Sequence, residues 1–389
     1  MAISEGVKEA LERASWIRRM FEAAIRLRRE RPAESVADLS LGNPVNQPPD
    51  AFFESLANEI EFRQERRHNY MTNCGYPAVR EAVAQHLQAR TGLPYETEDI
   101  CMTVGAAGAL NVLFKTLLDP GDEVVILSPY FVEYRFYVEN FQSHVVVVPC
   151  RPDFLPDVQR IADACTARTK AVLINSPNNP SGRVYPGSIF ADLGRLLAGV
   201  SAQTRRPIVL VVDDPYHRIF YGDAPPPEPA KYYDQVAYLT SFSKEAGLAG
   251  ERIGYLALHP GMADRDDLRE ALPFAMRALG HVNAPALLQR AVTRLLDLDG
   301  QSARDFYAPR RALVEQALRE AGFEHPPLEG AFYAFPRAPD EDDVAFCQRM
   351  LDRGLVLVPG SAFGTPGHVR LSYAVEMDVL TRGLAMLVK

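Results

Sequence analysis

Between residues 100 and 260 the chain repeats one pattern: a short run of aliphatic and β-branched residues, a polar turn, then a segment with helical spacing. The runs fall at 124–128, 145–149, 171–175, 208–213, 237–241 and 253–258. Most are apolar throughout rather than alternating. Strands of that kind are covered on both faces, a condition met in mainly parallel sheets flanked by helices. The segments near 106–118, 131–141, 157–166 and 187–199 read as those helices. The pattern therefore predicts an α/β fold.

A parallel sheet collects the carboxyl ends of its strands along one edge, and ligands bind in the crevice beyond it. Three of the runs end in polar groups. One leads into Asn175-Ser176-Pro177-Asn178-Asn179-Pro180-Ser181-Gly182 and another ends at Asp213, followed by Asp214-Pro215-Tyr216. The third ends in Ser241-Phe242-Ser243-Lys244, with Gly250-Glu251-Arg252-Ile253-Gly254-Tyr255 just beyond. A carboxylate at the end of a strongly apolar strand is costly to bury without a cationic partner, which sets Asp213 apart from a surface aspartate. A lysine between two strands is by itself an ordinary solvated residue. Serine, lysine, glycine and arginine crowded into one strand–loop–strand segment are what a site needs to bind a phosphate and hold an amine against a carbonyl carbon. The small-residue helix entry at Gly105-Ala106-Ala107 leaves free N–H groups at a positive dipole end, which suits an anion. Neither G-x-G-x-x-G nor G-x-x-x-x-G-K-[ST] occurs, so a dinucleotide or P-loop nucleotide site is not supported.

The flanking segments are read more coarsely. Residues 5–31 have helical spacing, with Ile17, Met20, Phe21, Ala24 and Ile25 as the apolar stripe between arginines and glutamates. Such a helix packs on the body of the protein or on a second subunit, with membrane-surface binding the alternative. Asp38 to Pro44 reads as a short strand breaking into a Gly/Pro turn at Gly42, either a linker or a place of ligand approach. Tyr70 lies in a polar turn, as a core aromatic or a phosphate-binding hydroxyl. After residue 262 come long helices, then strands at 330–335, 355–358 and 369–373, with helices near 343–352 and from Met377 to the end. Arg370 alternates with apolar residues in its strand; it is an exposed strand arginine or a planar clamp for a carboxylate.

The 389 residues leave room for two or three domains, read as an N-terminal segment at 1–46, a large domain at 47–280 and a small one at 281–389. A net charge of −8 argues against nucleic-acid binding. The five scattered cysteines form no C-x-x-C pair, which fits a reducing compartment without a zinc site or other metal. No membrane-length apolar run or signal peptide is read, so the expected location is cytoplasmic.

Taken in order, these segments resemble the class I/II aminotransferases of the aspartate aminotransferase superfamily, pyridoxal-phosphate enzymes of fold type I. The likeness runs from Gly42 to Arg370. Its most specific part is Ser241-x-x-Lys244 with Gly250-x-Arg252-x-Gly254-Tyr255; Asn179-Pro180-Ser181-Gly182 and Asp213-x-x-Tyr216 are further matches, and the order and spacing of all three carry the likeness. It implies a large domain with a mainly parallel seven-stranded sheet flanked by helices. A smaller α+β domain would come from the N-terminal segment and the C-terminal part. It further implies that Lys244 holds the cofactor as a Schiff base and shuttles the proton, and that Asp213 pairs with the pyridinium nitrogen. Tyr216 and Asn179 would bond the ring's phenolic oxygen. Phe131 would stack on the ring, with Tyr130 the neighbouring candidate. Arg252, Ser241 and the Gly105-Ala106-Ala107 entry would hold the phosphate, although relatives carry hydroxyl residues where this chain has Ala106 and Ala107. Tyr70 would reach the phosphate of a neighbouring subunit, making the protein a homodimer. Arg370 would bind the substrate α-carboxylate, with Gly42 lining the same pocket. The implied reaction is ping-pong transfer of an amino group between an L-amino acid and a 2-oxo acid. A β-lyase or other lyase on the same scaffold, and a non-enzymatic pyridoxal-phosphate regulator, are the alternatives. No motif fixes the amino-acid donor.

Overall fold

A computed structural model describes residues 3–13, 15–63, 65–340 and 342–388. Its short first strand, β1 (Ala37–Asp38), belongs to the C-terminal half of the molecule, while the next seven build one sheet. These are β2 (Ile100–Thr103), β3 (Glu123–Ser128), β4 (His144–Pro149), β5 (Thr169–Asn175), β6 (Val209–Asp213), β7 (Val236–Ser241) and β8 (Gly254–Leu258). Across the sheet the order is β4-β3-β5-β6-β7-β8-β2. Pairing is parallel from β4 to β7, and β8 runs antiparallel to both of its neighbours. The α/β fold with a seven-stranded, mainly parallel sheet is as the sequence implied. The strand its apolar runs did not reveal is β2, whose four residues Ile100-Cys101-Met102-Thr103 are too short and mixed to stand out.

The apolar runs are continuous because each strand feeds two cores. Val125, Leu127, Val172, Ile174, Leu210 and Val212 point to one face, where they meet Val79, Val83 and Leu87 of the helix Pro77–Thr91 and Phe190, Leu193 and Leu197 of Gly187–Thr204. Their neighbours Val124, Ile126, Ala171, Leu173, Val209 and Val211 point to the other, against Leu110, Leu113 and Phe114 of Gly105–Leu117 and Leu268, Leu272 and Met276 of Arg265–Ala278. Each valine, leucine, isoleucine, phenylalanine or methionine side chain so enclosed is worth about 1.5–3 kcal/mol relative to exposure.

The remaining strands are β9 (Tyr333–Ala334), β10 (Leu355–Val356), β11 (Val358–Pro359) and β12 (Val369–Ser372). β12 lies between β11 and β9 in an antiparallel sheet, while β10 pairs in parallel with β1 and so joins the N-terminal segment to the C-terminal part. The expected strand at 355–358 is thus two, because the residues on either side of buried Leu357 pair with different sheets. The expected strand at 330–335 shrinks to β9. Ala331 sits at φ 57° with its N–H donated to the Ile219 carbonyl, outside the ladder.

The helices Glu5–Arg13 and Ser15–Glu30 replace the single expected one. The latter buries Met20, which the expected stripe contained, together with Ala23 and Leu27, which it did not, against Val36, Leu351 and Val356; the side chains of Ile17, Phe21 and Ala24 lie outside the described residues. Among the described residues no helix is long and apolar enough to cross a membrane.

Gly254 is where the sheet closes on its own edge. A Cβ there would run into the Thr240 carbonyl oxygen and lie 3.1 Å from both Gly105 Cα and Ser241 Cα, all of them backbone that cannot rotate away. Gly254→Ala is expected to lower unfolding free energy by about 1–3 kcal/mol. Urea denaturation checks this, and an unchanged midpoint would show that the packing is looser than described.

Candidate active site

Opposed strand directions bring the polar groups together. Asn175, Asp213 and Ser241 end β5, β6 and β7 at one edge. Because β8 is antiparallel, its incoming residue Arg252 arrives at that same edge. The register Thr103–Gly254–Ser241 brings the exit of β2 into Gly105 there as well. Asn175, Asp213, Ser241 and Arg252, with Ala106 and Ala107 just past Gly105, line one cavity of about 400 Å³.

Asp213 is buried, and its Oδ2 accepts a 2.6 Å hydrogen bond from the Tyr134 hydroxyl. Asn175 donates to its backbone carbonyl at 2.8 Å. Oδ1 is buried and, among the described residues, has no partner. Burial pushes this carboxyl up to about 7, with Tyr134 opposing and neighbouring Asp214 reinforcing the shift.

The Lys244 amine donates to the Gly42 carbonyl at 2.6 Å and lies 5.9 Å from the centre of the Phe332 ring. Burial brings its pKa down to about 8, helped by the charges of Arg370 and then Arg252 and resisted by Asp213. Of the two arginines, Arg370 contributes more than Arg252.

Arg252 has φ 53° and donates to the Ala249 carbonyl at 2.9 Å, to Ser243 Oγ at 3.5 Å and to the Val104 carbonyl at 3.4 Å. Gly105, at φ 77°, lets the guanidinium settle against the helix entry; a Cβ there would stand 2.9 Å from Arg252 Nη2. The first N–H groups of that helix have no partners within it. With Ala106, Ala107, Ser241 and Ser243 also on the wall, this corner gathers donors and positive charge fit for a phosphate.

Arg370 is not an exposed strand residue: it is 5% exposed on β12. Its Nη1 donates to Asn179 Oδ1 at 3.1 Å and its Nη2 to the Ser40 carbonyl at 2.5 Å, while Nε is buried without a partner among the described residues. The guanidinium stacks over Tyr333 and Phe363, 5.0 and 4.7 Å from their centres. Asn179 is itself held by its N–H to Asn175 Oδ1 at 2.7 Å, and Tyr216 OH meets Tyr333 OH at 3.0 Å.

Gly42 and Phe131 also line the cavity, whereas Tyr130 packs outside it. Tyr70 is not brought in: it is 90% exposed, beside Met71 and Asn283 in a separate surface depression. Sequence reading missed Glu133, Tyr134, Tyr137, Asn175, Ser243 and Tyr333 on the wall. Tyr134 follows Phe131 by three residues, a helical spacing that signals a shared face, and Ser243 lies between two residues already singled out.

The family model for aminotransferase class I and II matches residues 34–387. A probable aspartate/prephenate aminotransferase of Thermus aquaticus is 33% identical, with 93% of this chain and 92% of the relative aligned. An aspartate aminotransferase of Thermotoga maritima is 31% identical, with 90% of each chain aligned. The crystal structure of an aminotransferase from Eubacterium rectale superposes with a TM-score of 0.94 at 32% identity, covering 100% of this chain and 98% of that one.

With the Lys244 pKa near 8 rather than the ordinary 10.5, its amine is expected to become reactive toward a small aldehyde as pH rises from 7 to 9. Borohydride trapping at position 244, followed by mass spectrometry across pH, reads the midpoint. Arg370→Met should move that midpoint upward, since a neighbouring positive charge is removed.

Proposed function

The chain belongs to the class I and II aminotransferases, a pyridoxal-phosphate-dependent family, and we propose that it binds this cofactor through Lys244 to move an amino group from an L-amino acid to a 2-oxo acid. The observation that carries the reading is the buried Oδ1 of Asp213, without a partner among the described residues and in one cavity with the Lys244 amine and the Arg252 corner. When bound, the cofactor supplies an aldehyde for an amine and a protonated ring that draws off the electron pair left when Cα loses its proton.

The chain's own residues divide the remaining tasks. Asp213 would hold the ring-nitrogen proton on Oδ1, with Tyr134 fixing Oδ2. Arg252, Ser241 and the Gly105-Ala106-Ala107 backbone would bind the phosphate. Tyr216 and the Asn179 amide would donate to the phenolic oxygen, and Phe131 would cover a ring face. Arg370 would take the substrate α-carboxylate in a bidentate grip, with Asn179 and Gly42 beside it. Lys244, released from the cofactor, would carry the proton away from Cα. A pKa near 8 leaves an appreciable neutral fraction at ordinary pH, as a base requires. One amino acid enters and its 2-oxo acid leaves before the acceptor binds, which gives ping-pong kinetics. Tyr70, too far out to serve its own cavity, would reach the phosphate of a second copy in a homodimer.

Lys244→Ala is expected to abolish transamination and the borohydride-trapped adduct together. Asp213→Ala should lower kcat by about 10²–10⁴-fold while trapping at Lys244 persists. Near-normal turnover in Lys244→Ala would overturn the assignment. Pyruvate and ammonia released from a cysteine conjugate without an acceptor acid would make the reaction a lyase's.

A further inference from the structure

Two described carboxylates stand on the cavity wall, Asp213 and Glu133, and the reading above uses only the first. Glu133 opens the helix Glu133–Glu139, one residue before the tyrosine that holds Asp213. An acid in the first turn of a helix is commonplace and is favoured there by the dipole. Such an acid ordinarily leaves its free oxygen in water. Here Oε2 is buried and has no hydrogen-bond partner among the described residues. Burial holds the carboxyl above the usual glutamate range, opposed first by its own backbone N–H and then by the charge of Arg370, which lines the same cavity.

The other charged groups on the wall are accounted for. Arg252 faces the phosphate corner, Lys244 the reacting carbon, Asp213 the ring and Arg370 the α-carboxylate. With the substrate fixed at its carboxylate and at Cα, its side chain is what remains to meet Glu133. A buried acceptor left unpaired costs free energy until a donor arrives, and it rejects a group of its own charge.

We propose that Glu133 selects the amino-acid substrate by its side chain, accepting a hydrogen bond from a terminal amine and repelling a terminal carboxylate. The inference rests on the transamination reading and narrows its substrate class to amino acids with a basic side chain. The aspartate in the names of the relatives would then not carry over to this chain.

The test uses the cofactor-loaded protein and three donors of comparable length, L-ornithine, L-norleucine and L-glutamate, followed by the cofactor absorbance change in the first half-reaction. Glu133→Gln keeps the shape and removes the charge. It should lower kcat/KM for ornithine relative to norleucine by about tenfold or more, and raise that for glutamate relative to norleucine by a similar factor. Glutarate, which does not react, should inhibit the variant at lower concentration than the wild type, reading the same contact without turnover. Glu133→Asp, which keeps the charge, should preserve the wild-type order of donors. Unchanged ratios in Glu133→Gln, or a parallel change for all three donors as expected if Glu133 merely positions Arg370, would overturn the proposal. Borohydride trapping at Lys244 in wild type and variant separates the two levels. No adduct in either sinks the cofactor reading and this inference with it, whereas an adduct with unchanged ratios sinks this inference alone.

Discussion

A carboxylate sealed behind an apolar strand, with one oxygen bonded and the other left over, is the demand that organises this molecule. Asp213 reaches that position because β6 runs Val209-Leu210-Val211-Val212 through the middle of the sheet, both faces covered. Leaving a buried acceptor unpaired costs about 1–3 kcal/mol. The protein partly answers with Tyr134 and with Asn175 on the adjoining backbone, and the shortfall is what a protonated ligand nitrogen would relieve. Strand direction does the rest. Only with β8 reversed does Arg252 come to the edge where β5, β6 and β7 deliver their polar ends.

Positive charge around the amine is arranged by the same means. Lys244 feels both Arg252, just ahead of β8, and Arg370 on β12, because it is buried. On the proposed reading the two arginines would have a double effect: each would bind an anionic end of a ligand, and together they keep the lysine from holding its proton too firmly. Neither role needs direct contact with the lysine, whose hydrogen bond goes to the Gly42 carbonyl.

The parts legible from sequence were those where a local pattern and a chemical demand coincide. The apolar runs announce their burial on two faces, and Asp213, Lys244 and Arg252 are conspicuous because costly or reactive groups stand at or near the ends of such runs. Apart from Tyr134 and Ser243, what escaped has no local signature. Tyr333 comes to the cavity from a strand well over a hundred residues beyond Tyr216, through pairing that the chain order does not announce. Glu133 reads as an ordinary first-turn acid until its surroundings are known. β2 is too short to show a period, and the break at Ala331 is set by the Ile219 carbonyl, not by any turn residue of its own. In the N-terminal helix Met20 of the expected stripe is inward, while Ala23 and Leu27, which were not in that stripe, join it on a hydrophobic seat formed by Val36, Leu351 and Val356.

Arg370 fastens three stretches of chain that are far apart in order: its own strand, the Ser40 backbone near the start and Asn179 beyond β5. A bound carboxylate at this guanidinium would therefore act as a rivet as well as an anchor, drawing the first and last parts of the chain onto the middle. An amine lacking that group, such as the decarboxylated form of the same amino acid, would leave the three pieces joined only by their own bonds. Discrimination between acid and amine would then be built into the assembly of the cleft itself, and not only into the attraction of one charge for another.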